Sequence, residues 1–281
     1  MLGRPTGFRR YLTIQIVGPT AGPVVHTRAG EDRLDDLCFL YLRFGVSGDW
    51  RGELAPYPAL KNAAGRNLDF FVSMGDTIYA DVASPANDFQ QQSQSLSYYR
   101  NKHNEVYSTV GGMNSLADLR QSTALFATID DHEVTNDFAG GAKIGSDARF
   151  SGNPTDFIND STLYDNGLQA FQEDNPIANE VYEATGDART ANELKLYRSR
   201  TFGSDAALMV LDARSFRDAE LARVTDLTDL AQVGTFLANS FNPARTMLGR
   251  AQVRALQPEV GVDHAHQRQV REIVSLGHDL G

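Results

Sequence analysis

Apolar runs stop abruptly at acidic residues in three places, and these breaks set the predicted elements. Cys38 to Val46 is apolar and partly β-branched or aromatic, which predicts a strand running into Ser47-Gly48-Asp49-Trp50. Residues 69–74 predict a second strand, halted at Gly75-Asp76. Residues 123–129 predict a third, which ends at Asp130-Asp131-His132-Glu133. Between the first two, Leu54 to Ala64 carries Pro56 and Pro58 near its start and suits a helix opened by proline in its first turn. The resulting strand–helix–strand order puts loop carboxylates at successive strand ends.

The rest of the pattern is less regular. The Gln- and Ser-rich stretch from Asn87 to Tyr107 predicts an exposed helix, and Leu116 to Gln121 a short one. Gly, Ser and Asn dominate Phe138 to Asn159, which predicts a long surface loop of a length seldom found without a role. Leu163, Leu168 and Phe171 recur at helical spacing within 160–174. Lys195 to Phe202 and Ala206 to Leu211 predict a hairpin around Gly203-Ser204-Asp205. Signals thin out after Asp229. The chain is therefore α/β, with a lead-in over 1–37, a domain over 38–258 and a divergent polar tail over 259–281.

Charge narrows the partners. Lys and Arg number 26 against 36 Asp and Glu, a formal charge of −10, which argues against nucleic acid or an anionic membrane surface as the main partner. Anionic substrates stay open, because bound cations reverse a local field. Cys38 is the only cysteine, so an intrachain disulfide and a Cys-rich zinc module are excluded. No stretch reaches the roughly 20 apolar residues of a membrane span. Arg9-Arg10-Tyr11-Leu12 faintly resembles a twin-arginine export signal, but the following run is broken by Gln15, Gly18 and Pro19, and a strand near 12–17 is preferred.

In α/β sheets, ligands bind outside the carboxyl ends of strands, where Asp49, Asp76 and Asp130/Asp131 fall. Any one aspartate would commonly be a turn or helix cap. Three together, with His132 and Asn136, favour one metal or phosphate site, since massed carboxylates need a cation to offset their repulsion and lost solvation. Oxygen donors with one imidazole and one amide suit a hard metal. Gly75 permits a sharp turn and leaves room for an ion. Tyr79 comes within reach if the segment makes a helical turn, with an ordinary buried tyrosine as the alternative. His132 is a candidate ligand or a proton donor to a leaving oxygen, its tautomer fixed by a carboxylate neighbour. Gly-x-Ser-x-Gly, Gly-x-Gly-x-x-Gly and Walker-type sequences are missing. Asp263-His264-Ala265-His266 reads as solvated tail.

Gly75-Asp76-Thr77-Ile78-Tyr79-Ala80-Asp81 and Asp130-Asp131-His132-Glu133-Val134-Thr135-Asn136-Asp137 resemble signature blocks of the alkaline phosphatase D (PhoD-like) family of metallophosphoesterases. Leu211-Asp212-Ala213-Arg214-Ser215-Phe216-Arg217 and Arg245-Thr246-Met247-Leu248-Gly249 look like later blocks, and matches run in order over 38–252. The resemblance implies a four-layer α/β/β/α sandwich and a multinuclear centre, of iron with calcium, that hydrolyses phosphate mono- or diesters through a metal-activated hydroxide. It implies Asp49, Asp76, Tyr79 and Asn136 as metal ligands, His132 and Asp131 as catalytic residues, and an extracytoplasmic setting. Two departures stand out. The cysteine ligand often found in the family's first block is replaced by Ser47-Gly48-Asp49, and no Gly-Asp-x-His-like motif follows Gly249, so the sandwich is expected to be incomplete at its C-terminal side. Two rivals are a non-catalytic domain that binds metal or merely folds, and a carbohydrate hydrolase using paired carboxylates.

Overall fold

The structure is a computed structural model, and it describes residues 25–26, 42–202 and 206–260. Strands β1 (Val25–His26), β2 (Arg43–Ser47), β3 (Phe70–Ser73) and β4 (Leu125–Ala127) form one sheet in that order. β1 is antiparallel to β2, whereas β2, β3 and β4 are mutually parallel. Phe44 pairs with Phe70 and Phe71 with Leu125, so the three parallel strands finish side by side and their acidic sequels emerge at one edge. Helices α1 (Leu96–Tyr107), α2 (Ser115–Ser122) and α3 (Thr162–Asp174) follow, then a hairpin of β5 (Arg198–Phe202) and β6 (Ala206–Val210), and helices α4 (Leu230–Ser240) and α5 (Gly249–Val260).

Alternation along β3 sorts the two faces of the sheet. Phe70 and Val72 point with Phe44 towards the β5–β6 hairpin, where Phe202 and Leu208 close a small apolar layer. The Phe70 ring stacks on Phe44 at 5.1 Å and on Phe202 at 4.7 Å. Phe71 and Ala127 point the other way, into the main core with Tyr99 and Val106 of α1, Leu116 and Leu119 of α2, and Leu168 and Phe171 of α3. Each such large side chain contributes about 1.5–3 kcal/mol when buried. The described residues thus form three layers: helices, sheet and hairpin.

Several expected elements come out differently. The first strand begins at Arg43 among the described residues, with Cys38 outside them. No helix forms over 54–64. That stretch holds 3₁₀ turns at Gly52–Leu54, Pro58–Leu60 and Ala64–Arg66, because Pro56 and Pro58 supply no N–H donors and Tyr57 is left-handed at φ 56°. The helix expected over 87–107 starts only at Leu96, and only one face of it is exposed. Tyr99, Lys102, His103 and Val106 are buried, with the Lys102 ammonium held 3.3 Å from Glu53 and 3.5 Å from Glu105. The segment over 138–159 is irregular, as expected, yet Phe138, Ala142, Ile144, Phe150 and Ile158 are buried, so it is packed against the core. Two helices appear after Asp229, where signals were thin: α4 begins at the Asp229 cap and buries no residue, and Gln252 of α5 is fully buried. The lead-in apart from Val25–His26, the hairpin turn at 203–205 and the tail from 261 lie outside the described residues.

Glu193 gives the fold a pH signature. Burial, then the charges of Asp160, Asp165 and Asp212, push its carboxyl up to about 8. The native state therefore binds a proton that the unfolded chain has released once pH exceeds the ordinary glutamate value, and stability falls as pH rises from about 4.5 to 8. Denaturant melts at pH 5 and 8 should show wild type losing about 1–2 kcal/mol more than Glu193→Gln over that interval, after allowance for solvent screening.

Candidate metal centre

Backbone geometry at the strand ends makes the site. Beyond β2 and β3 the chains stay paired: Asp49 N–H donates to Gly75 O at 3.3 Å and Trp50 N–H to Asp76 O at 2.8 Å. Asp49, Asp76 and Asp137 then take left-handed conformations, with φ of 61°, 52° and 53°, a region that Asp and Asn tolerate better than most residues. Gly75 has φ 98°, and a Cβ there would stand 2.1 Å from Asp130 N. The room that glycine leaves before Asp76 is therefore filled by the backbone leaving β4. It draws the second and third acidic turns together.

Glu133 locks them. Its fully buried carboxylate accepts Asp76 N–H at 3.0 Å, Thr77 N–H at 2.8 Å and Asp130 N–H at 2.8 Å. Burial raises its pKa, while those three N–H groups pull it back down. From behind, Tyr99 Oη and Gln92 Nε2 donate to Val134 O at 2.9 and 3.0 Å, so α1 anchors the same turn.

Within this frame the side chains converge. Asp76, Asp131 and His132 each offer a ligand atom, all within 4.8 Å of one another. Tyr79 Oη donates to Asp49 Oδ1 at 3.0 Å and approaches Asp76 Oδ2 at 3.4 Å, so the phenol bridges the two carboxylates. Asp76 is only 7 % exposed; burial, then Glu133, Asp130, Asp131 and Asp49, raise its pKa far above the carboxylate range. The Tyr79 phenol is also raised, by burial and then by Asp76 and Asp49. A buried carboxylate ringed by four others, with a phenol and an imidazole at its edge, is a donor set that fits a hard cation.

His132 is held by a carboxylate, though not by its sequence neighbour. Its Nδ1 lies 2.6 Å from Asp81 Oδ1, and its ring stacks on Tyr79 at 4.0 Å. Burial alone would lower the imidazole pKa, but the Asp81 hydrogen bond and the charges of Asp81, Asp131 and Glu133 raise it. Asp131 instead accepts Asp137 N–H through Oδ2, and its Oδ1 sits 3.3 Å from Arg214 Nη2. Asn136 stands at the exposed rim: its backbone N–H donates to Asp81 Oδ2 at 3.0 Å and its Nδ2 to Asp137 Oδ2 at 2.9 Å. The structure thus gathers Asp49, Asp76, Tyr79, Asp131 and His132, and links Asn136 to them through Asp81. Sequence reasoning assigned no role to Asp81, Glu133 or Arg214. Their partners lie 51, 57 and 84 residues away, and only their places within the quoted blocks pointed to them.

A parallel three-strand edge with this carboxylate–imidazole cluster beyond it makes an α/β domain that carries a candidate metal site. The family model for PhoD-like phosphatase matches residues 45–272, and the chain belongs to that family. Alkaline phosphatase D of Bacillus subtilis (strain 168) is 27% identical over 226 residues, which cover 75% of this chain and 33% of that protein. A solved structure described as that of PhoD matches with a TM-score of 0.56 at 23% identity, over 79% of this chain and 40% of its own. The chain thus spans about a third of the curated relative it matches. Among the described residues, no helix is long and apolar enough to cross a membrane.

Proposed function

We infer that the protein hydrolyses phosphate mono- or diesters at a metal centre, as an alkaline phosphatase or phosphodiesterase of the alkaline phosphatase D type. The observation that carries this reading is the meeting of Asp76, Asp131 and His132 within 4.8 Å, with Tyr79 bridging Asp76 to Asp49. Asp49, Asp76, Tyr79 and Asn136 are the proposed ligands, with iron and calcium the proposed ions through resemblance to the family. Bound cations would supply Lewis acidity towards phosphoryl oxygens and acidify a water. The family match and the hairpin layer support extending the proposal to a four-layer α/β/β/α sandwich, and family resemblance supports an extracytoplasmic setting.

The protein's own groups have distinct tasks. The Asp81 carboxylate takes the Nδ1 hydrogen of His132, which leaves Nε2 to pass a proton to the leaving oxygen. The Asp81 hydrogen bond and the charges of Asp81, Asp131 and Glu133 raise the imidazole pKa against burial, which favours the ring that carries the proton. Asp131, fixed by Asp137 N–H and Arg214, orients the turn beneath it. Asp81→Asn should lower kcat by about 10–100-fold, because the amide no longer fixes the tautomer. The loss should be larger for an alkyl phosphate, whose poor leaving group needs the proton, than for p-nitrophenyl phosphate; equal losses would remove His132 from the proton-donor role.

The reading is tested with purified protein on p-nitrophenyl phosphate and bis(p-nitrophenyl) phosphate, loaded with iron and calcium and again after chelation. Turnover that needs metal is the expected result. Absence of turnover under every metal condition would leave the non-catalytic domain as the answer.

A further inference from the structure

We propose that Arg214 binds the phosphate ester directly, its outer guanidinium edge taking a non-bridging phosphoryl oxygen. This rests on the phosphoesterase reading above.

The backbone beneath Arg214 is fixed from three sides. Fully buried Asp212 accepts the N–H groups of Arg214 and Ser215 on Oδ1 at 3.0 and 2.9 Å. Asp212 is clasped in turn by Gln252 of α5, which accepts its N–H at 2.8 Å and donates to its carbonyl at 2.7 Å. Across from it, Gly140 N–H donates to Arg214 O and Gly141 N–H to Arg217 O, both at 3.0 Å. A Cβ at Gly140 would lie 2.2 Å from Ser215 O, and one at Gly141 2.4 Å from Phe216 O, so the Gly140-Gly141 pair exists to let two backbones touch. A loop held this firmly positions its side chain closely.

That side chain reaches the acidic centre. Nε hydrogen-bonds Asp130 Oδ1, and Nη2 lies 3.3 Å from Asp131 Oδ1, beside Asp76 and His132. The inner edge of the guanidinium is thereby spent on two carboxylates, while Nη1 has no hydrogen-bond partner among the described residues. A guanidinium presents five donors in a planar fork, and its two-nitrogen end matches phosphate geometry in a way an ammonium cannot. Charge neutralisation accounts for the contact with Asp131, whose side chain is 7% exposed, better than for the contact with Asp130. The Asp130 side chain is 42% exposed and already reaches water, whereas the Arg214 side chain is only 15% exposed. Arg217, three residues further on, adds a second guanidinium near the first: burial, then Arg214, depress its pKa against the pull of Asp130, Asp131 and Asp137.

The test compares metal-loaded wild type, Arg214→Lys and Arg214→Gln by kcat/KM on p-nitrophenyl phosphate, by the inhibition constant of inorganic phosphate, by direct phosphate titration and by metal content. The inference expects both variants to keep wild-type metal content, to lose about 100-fold or more in kcat/KM and to bind phosphate at least about 10-fold more weakly. Lysine should rescue little, because it offers a point charge and no fork. Phosphate affinity equal to wild type in both variants would overturn the inference and leave the phosphoesterase reading standing. Metal content that falls in step with activity would also overturn it, making Arg214 a neutralising residue. A wild type that neither turns over esters nor binds phosphate would sink both.

Discussion

Asp76→Asn should abolish phosphate-ester hydrolysis, by at least about 1,000-fold in kcat/KM, and strip bound metal, yet it should make the metal-free protein more stable. The two effects share a cause. Asp76 is buried among Asp49, Asp130, Asp131 and Glu133, so without a cation it must either hold a repelled charge or retain a proton far above its usual range. Asparagine has the same shape, tolerates the left-handed backbone, and keeps an oxygen for the His132 N–H that Asp76 Oδ1 accepts at 3.2 Å. In chelator, the variant should melt about 2–6 °C above wild type, the equivalent of about 1–2 kcal/mol relieved. With metal added, the order should reverse, because only wild type gains binding energy. Calorimetry with and without metal checks both halves. A chelated variant that melts below wild type would mean the carboxylate has a structural role that outweighs the repulsion.

The second large effect belongs to Glu133. Removing its carboxylate orphans three N–H groups, those of Asp76, Thr77 and Asp130, inside the core. Each buried unsatisfied donor costs about 1–3 kcal/mol, offset in part by the charge no longer buried, so Glu133→Ala should lose about 3–5 kcal/mol, on the order of 10 °C in melting temperature. Glu133→Gln should fall between, since one amide oxygen still accepts while its NH₂ faces donors. Urea unfolding in chelator isolates this effect from metal binding. Should Glu133→Ala unfold at the wild-type midpoint, the three contacts carry no net stability.

How far the sequence disclosed this depended on distance along the chain. The parallel strands and their acidic sequels were legible, because β-branched and aromatic runs cut short by carboxylates are local signals. The helix expected over 54–64 failed where prolines 56 and 58 overrode apolar spacing. Helix α1 was expected to be exposed because its stretch is polar and rich in Gln and Ser, but Lys102 is buried with Glu53 and Glu105, and His103 lies 3.5 Å from Asp174. At the site, the residues that meet were anticipated and the residues that hold them were not. A carboxylate for His132 was expected nearby and comes from Asp81; the space beside Gly75 was expected for an ion and admits the Asp130 backbone. Such support is made by pairs far apart in the chain, which no local pattern records.

The left-handed aspartates have a consequence for how such a domain can change over generations. Positions 49, 76 and 137 demand a side chain that accepts an unusual backbone twist, and asparagine or glycine meets that demand as well as aspartate does. A duplicated gene could shed these acidic charges one by one without passing through a misfolded intermediate, and end as an inert relative of unaltered shape.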